Sequence, residues 1–304
     1  MFDRPTAYAA HADFIRPAMA RTEMWRLIVM IICFEIAFIV TPWLMMLALP
    51  PRAEEAYIEG VTAFGTLAQF ASFGIITAIF VWTLRRVHER GFWSLVGQAD
   101  AAVVNMIRVM CMVGLVLLAK EIFPPWYDLS ALAETRNLLR WLVLLPFGFV
   151  VLLIQVSTEE LYFRGYLQQQ FACMSESRLV WMGLPSFMFG MAHYFNGIGE
   201  ADGILWALWA MALGLACADL TARTGNIGAA VGLHLANNAF ALLIYGMMDW
   251  PTSGLALFLF PFDDPYQYDL SIDALRSAEL IMPFVVNVTA VWVMWLAARL
   301  AIRR

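Results

Sequence analysis

Charge is scarce in this chain: 14% of its 304 residues are Asp, Glu, Lys or Arg, while 62% are apolar. A soluble domain carries about 25% charged and 45–50% apolar residues. The composition therefore excludes a soluble globular protein and indicates a polytopic membrane protein. No basic face is available for nucleic acid, and no Gly-rich phosphate loop for a nucleotide. Cysteine is also sparse. Cys33, Cys111, Cys173 and Cys217 are scattered without a CxxC pair, so they read as small buried hydrophobes rather than metal or redox groups. There are only four histidines and no HExxH helix. Neither internal repeats nor low-complexity tracts occur.

What is present is a series of long apolar runs. A span needs about 20 mostly apolar residues, and eight candidates fit: 25–49, 61–83, 101–119, 138–158, 179–195, 204–221, 227–248 and 279–299. The expected architecture is all-α, a single membrane domain over 1–304 with about eight transmembrane helices. The polar, Arg-bearing first 22 residues do not make a cleavable signal peptide, so the first span is expected to serve as the insertion signal. Pro50-Pro51 and Pro124-Pro125 mark helix stops at the membrane edge. The positive-inside rule orients the bundle. With the N-terminus inside, the inner segments hold Arg4, Arg16, Arg21, Arg26, Arg85, Arg86, Arg90, Arg164, Arg178, Arg223, Arg299, Arg303 and Arg304. The outer loops hold only Arg52, Lys120, Arg136, Arg140 and Arg276, and the last is acidic (Asp249, Asp263, Asp264, Asp269, Asp273). Both termini are therefore expected on the cytoplasmic side.

Ionisable groups inside these runs are costly and mark candidate function. The charge-free stretch Trp141 to Val156 leads into Glu159-Glu160, followed by Arg164. On a helix Glu160 and Arg164 are i,i+4 and can pair. Glu159 points about 100° away, with Phe163 as its own i+4 neighbour, and is left unpaired, as a general base working near neutral pH would be. The alternative is that both glutamates merely cap the end of the fourth span. Phe189 and His193 share a face of the fifth span, where Gly190 and Ala192 allow another helix close; the histidine is equally readable as a structural hydrogen-bonder. In the seventh span His234 and Asn238 are i,i+4, so an imidazole and an amide can aim at one point as oxyanion donors. Asn237 lies on another face and reads as a helix–helix hydrogen bond. Gly228 and Gly232 form a small-xxx-small packing face. Glu35, Asn105, Arg108, Asp219 and Asn287 are further polar groups at membrane depth. Asp219 and Arg223 are spaced to pair at the inner end of the sixth span, and Glu35 and Arg108 could pair between spans one and three.

The ordered patterns EExxxR (Glu159, Glu160, Arg164), FxxxH (Phe189, His193) and HxxxN (His234, Asn238) resemble those of the CAAX prenyl protease and bacteriocin-processing (CPBP/Abi) family of intramembrane glutamic endopeptidases. The resemblance covers about 140–245, the expected catalytic core. It implies that Glu159 and His193 activate a water for attack on a peptide carbonyl. His234 and Asn238 would then stabilise the oxyanion, and Glu160 with Arg164 would hold the first motif in place. No cofactor is implied. The partners are the lipid bilayer and a peptide or protein terminus at the membrane, with no nucleic acid or nucleotide, in a setting such as the bacterial cytoplasmic membrane. Two other readings stay open: a zinc peptidase with Glu159, His193 and His234 as ligands, and a non-catalytic bacteriocin-immunity or scaffold protein. One difficulty is geometric. A helix entering at Leu179 would put His193 about 21 Å in. A long fourth span, or a half-helix started by Pro185 after an interfacial segment at 168–178 and broken at 196–203, would reconcile it with Glu159.

Overall fold

The structure, a computed structural model, describes residues 7–123, 129–262 and 270–303. Pro124, Pro125, Asp263, Asp264, Asp269, Arg4 and Arg304 lie outside the described residues. The fold is an all-α polytopic membrane bundle. A short α1 (Ala9–Ile15) precedes the long α2 (Met24–Ala48) and the interfacial α3 (Pro51–Glu59). Next come α4 (Ala63–His88), the one-turn α5 (Trp93–Val96) and α6 (Ala99–Ile122). Then α7 (Leu138–Tyr162) runs through a π-helical turn, Phe163–Gln168, into α8 (Gln169–Met174). A second π turn, Leu179–Gly183, opens α9 (Leu184–Ala192), followed by α10 (Glu200–Thr224), α11 (Gly228–Ala239) and α12 (Ala278–Ile302).

Among the described residues six helices are long and apolar enough to cross a bilayer, and the other two expected spans fall short. The helix over 179–192 is about 21 Å long at 1.5 Å per residue, below the ~30 Å of a hydrocarbon core. Pro185 sits in its first turn, and a 3-10 turn at Tyr194–Asn196 ends it. The apolar stretch Gly228–Ile244 stops when the chain turns extended at β2 (Tyr245–Met247). That strand, β1 (Glu134–Thr135) and the central β3 (Phe258–Phe260) make a small sheet that composition did not foretell.

Chain direction alternates along the bundle. Arg26 near the start of α2 bonds the Val87 carbonyl at the end of α4, and Ile227 N–H bonds Val96 O between α5 and α11. Asp219 near the end of α10 accepts from Tyr8 Oη at 2.6 Å, Arg223 Nε at 2.7 Å and Trp295 Nε1 at 2.8 Å. The expected Asp219–Arg223 pair therefore forms, and the first and last described helices reach the same face of the bundle. The small sheet, α3 and the starts of α4 and α7 lie at the opposite face.

The core is built around α7. Tyr162 stacks on Phe34 at 3.6 Å and meets Phe80 edge-on, and Thr158 bonds Thr77 of α4 at 2.7 Å. These aromatics are interior, whereas Trp43, Trp82, Trp93 and Trp292 are exposed as a membrane belt would be. The expected small-residue face is used: a Cβ at Gly228 would lie 1.9 Å from the Ala102 carbonyl oxygen, and one at Gly232 2.4 Å from that of Met106. Gly190 likewise abuts the Ala207 carbonyl of α10, but Ala192 is exposed. Two other expectations fail. Among the cysteines only Cys217 is fully buried and Cys111 is exposed, because an apolar neighbourhood in a bilayer can be lipid as well as protein. Glu35 and Arg108 do not pair, since α2 packs on α4 while α6 packs on α11 and α12.

Candidate functional site

The helix carrying the two glutamates is 37 residues long, Leu138–Met174. Its N-cap Asn137 accepts from the Arg140 N–H at 3.0 Å, and the π turn near its far end lets Gly165 sit against Leu95. This length removes the geometric difficulty. Glu159 is about 22 Å from the Met174 end, and His193 is about 21 Å from Leu179, where the neighbouring helix starts on the same face. The long fourth span was anticipated. The segment 168–174, expected as interfacial, instead continues the helix.

Glu160 and Arg164 form the anticipated pair at 3.0 Å, with side chains 0% and 1% exposed. A third partner joins them: His234 Nδ1 lies 2.8 Å from the same Glu160 Oε1. An ionised carboxylate only accepts, so His234 is protonated at Nδ1, and its Nε2 faces Glu159 Oε2 at 3.7 Å. The Arg164 guanidinium lies 4.6 Å over the Phe189 ring. Phe189 gathers the two imidazoles as well, with centroids 4.4 Å from His193 and 5.7 Å from His234. His193 Nδ1 donates to the Phe189 carbonyl at 2.8 Å, leaving Nε2 as an acceptor within electrostatic reach of Glu159. Thus Glu159, Glu160, Arg164, His193 and His234 converge, with Phe189 packed among them.

Glu159 is not unpaired as expected. Gln155 Nε2 donates to its Oε1 at 2.6 Å, while Oε2 has no hydrogen-bond partner and faces the His234 ring at 3.7 Å. Gln155 Oε1 in turn accepts from Asn238 Nδ2 at 3.2 Å. The i+4 neighbour of Glu159 is the apolar Phe163, and its polar partner Gln155 lies at i−4 instead. Asn237 also differs from expectation. It does not bridge to another helix but donates to Asn238 Oδ1 at 3.1 Å, orienting that amide. Asn238 reaches the cluster through Gln155, and one of its two N–H groups is already engaged. Glu159, His193, Asn237 and Asn238 are only partly buried, so the cluster is open on that side. Among the described residues no three His, Cys, Asp or Glu side chains converge as metal ligands.

Comparison with known proteins bears on this same region. Over 132 residues the chain is 30% identical to an uncharacterized Bacillus subtilis protein, YyaK. That alignment covers 43% of this chain and 42% of the relative. No solved structure matches. The family model described as type II CAAX prenyl endopeptidase Rce1-like matches residues 140–240. Those bounds enclose every residue of the cluster, and over them the chain is similar to that family.

Proposed function

We propose that the protein is an intramembrane endopeptidase of the glutamic type, hydrolysing a peptide bond in a membrane-associated peptide or protein terminus. The observation that carries this reading is the asymmetry of the two carboxylates. Glu160 is fully buried and its Oε1 takes both Arg164 and His234, whereas Glu159 is partly exposed, holds only the neutral Gln155 amide on Oε1 and turns Oε2 toward the His234 ring. One glutamate thus holds the site, and the other is free to take a proton.

In this reading Glu159 Oε2, with His193 Nε2, accepts a proton from the attacking water as its oxygen bonds to the peptide carbonyl carbon. The carbonyl π pair moves onto oxygen, and the oxyanion is held by the free N–H of Asn238 and by His234. His234 can donate from Nε2 only when it carries a second proton. Collapse of the intermediate expels the amine, which takes its proton from Glu159. Every proton is returned and no covalent enzyme intermediate is needed. Cys217 lies beside Glu160 but is fully buried, away from the partly exposed side where Glu159 and His193 face outward. Loss of activity with a chelator and its rescue by zinc would instead favour the zinc reading, in which Glu159, His193 and His234 are the ligands.

The family name supports a peptide substrate at the membrane, and the small loops offer little to dock a folded partner. The arginine-rich face shared by the chain ends is assigned to the cytoplasm, in a bacterial inner membrane. The test compares membrane and secreted peptide termini between cells carrying wild-type protein and cells carrying Glu159→Gln at equal expression. Specific termini should vanish with the variant, and purified protein should lose roughly 10²–10⁴ in rate on the peptides so identified. Matching profiles would overturn the catalytic reading in favour of a non-catalytic membrane protein.

A further inference from the structure

The positive-inside pattern leaves five basic residues on the face away from the chain ends, and Arg136 and Arg140 are two of them. Both line a cavity of about 450 Å³ between the starts of α4 and α7 and the segment Gly254–Ala256. That is within the range of small-ligand sites. Arg136 is fixed as part of the wall: Nη1 donates to Ser253 O at 2.9 Å and Nη2 to Val61 O at 3.4 Å. Its nearest carboxylate, Glu134, is at 4.0 Å and half exposed. Arg140, close enough to add its repulsion, has no acidic partner and no side-chain hydrogen bond among the described residues. No acid lies in the first turn of α7, where the helix dipole would favour one over an arginine. Two guanidinia and one carboxylate, Glu134, therefore line the cavity, which leaves it a net positive charge.

The walls stand ready without a ligand. Thr66 Oγ1 accepts the Gly254 N–H at 3.1 Å, and a Cβ at Gly254 would lie 2.1 Å from the Thr62 carbonyl oxygen, so this segment is locked on α4. Trp141 donates its indole N–H to Leu243 O at 2.7 Å, and Leu144 lies one turn further along α7. Polar groups at the helix ends above an apolar floor match the headgroup level of a bilayer.

We propose that this cavity binds a phosphate-bearing anion, supplied in the membrane by a phospholipid headgroup whose glycerol end rests on Trp141 and Leu144. Arg140 gives the phosphate a charge-assisted contact, and Arg136 adds its field from the wall. The proposal does not depend on the chemistry at Glu159.

The test uses the full chain purified in uncharged detergent, titrated with phosphatidylglycerol and followed by native mass spectrometry. One lipid should bind with an affinity that falls roughly ten- to a hundredfold in Arg140→Gln, as expected for one lost charge-assisted contact. Arg140→Lys should keep part of it. Arg52→Gln, an exposed arginine on the same face outside the cavity, should match wild type. Millimolar inorganic phosphate should leave the lipid bound. Equal binding by wild type and Arg140→Gln would overturn the site. Displacement of the lipid by phosphate, with the same Arg140 dependence, would overturn the lipid assignment in favour of free phosphate.

Discussion

Gln155 joins the two halves of the cluster. It gives an N–H to Glu159 and takes one from Asn238, so a single amide fixes the orientation of the proposed base and of the proposed oxyanion donor. Replacing it with Leu keeps the volume and strands both partners. A lost hydrogen bond to a charged group is worth roughly 1.5–3 kcal/mol, which converts to about a ten- to hundredfold rate loss. The expected result is a fall in kcat of that size in Gln155→Leu, with KM nearly unchanged, because substrate binding does not need the fixed carboxylate and its turnover does. A change confined to KM would instead make Gln155 part of the substrate path. The i,i+4 relation between Gln155 and Glu159 was visible in the sequence. Its bond to Asn238 was not, since 83 residues separate them.

At the scale of elements, α1 acts as a clasp. His11 is buried and stacks on Trp181 at 4.5 Å, in the π turn that opens the helix ending at His193. Tyr8 from the same clasp bonds Asp219 of α10. Burial lowers the His11 pKa from 6.5 to about 4, because desolvation disfavours the charged ring. A depressed histidine pKa means the unfolded or undocked segment binds protons first. The docking contribution of neutral His11 is therefore complete above pH 6.5 and is lost as pH falls from 6.5 toward 4. Hydrogen exchange across residues 8–18, corrected for intrinsic rate, should accelerate over that window. His11→Phe should remove the pH dependence while keeping the stacking. Unchanged protection down to pH 4 would show that α1 is held by its other contacts alone.

For the whole molecule, the shared face of the chain ends and the alternating helix directions give a topology that labelling can read. In a background without native cysteines, Ser175→Cys and Arg303→Cys should react with an impermeant reagent from one side of the membrane, and Arg52→Cys from the other. Labelling of Ser175 and Arg303 from opposite sides would contradict the antiparallel arrangement. The two short helices, over 179–192 and 228–244, matter at this scale too. Neither reaches the length of a span; the second carries His234 and Asn238, and the first is capped by His193. Irregular backbone at membrane depth is tolerated where protein or a water-lined cavity surrounds it. Hydrolysis inside a bilayer requires that kind of cavity.

The sequence by itself determined the membrane class, six of the eight spans read from it, the Glu160–Arg164 and Asp219–Arg223 pairs, and the Gly228/Gly232 contact face. Each follows from a local rule: apolar run length, i,i+4 spacing, or the absence of a Cβ. The tertiary structure alone decided what depends on contacts distant in the chain. It brought His234 onto Glu160 across 74 residues, placed Phe189 against both imidazoles, and tied Asn238 to Glu159 through Gln155. It also decided that Glu35 and Arg108 stay apart, because pairing between helices depends on which helices are neighbours. Helix neighbours in a bilayer are chosen by packing of the whole bundle, and no local spacing along the chain encodes that choice.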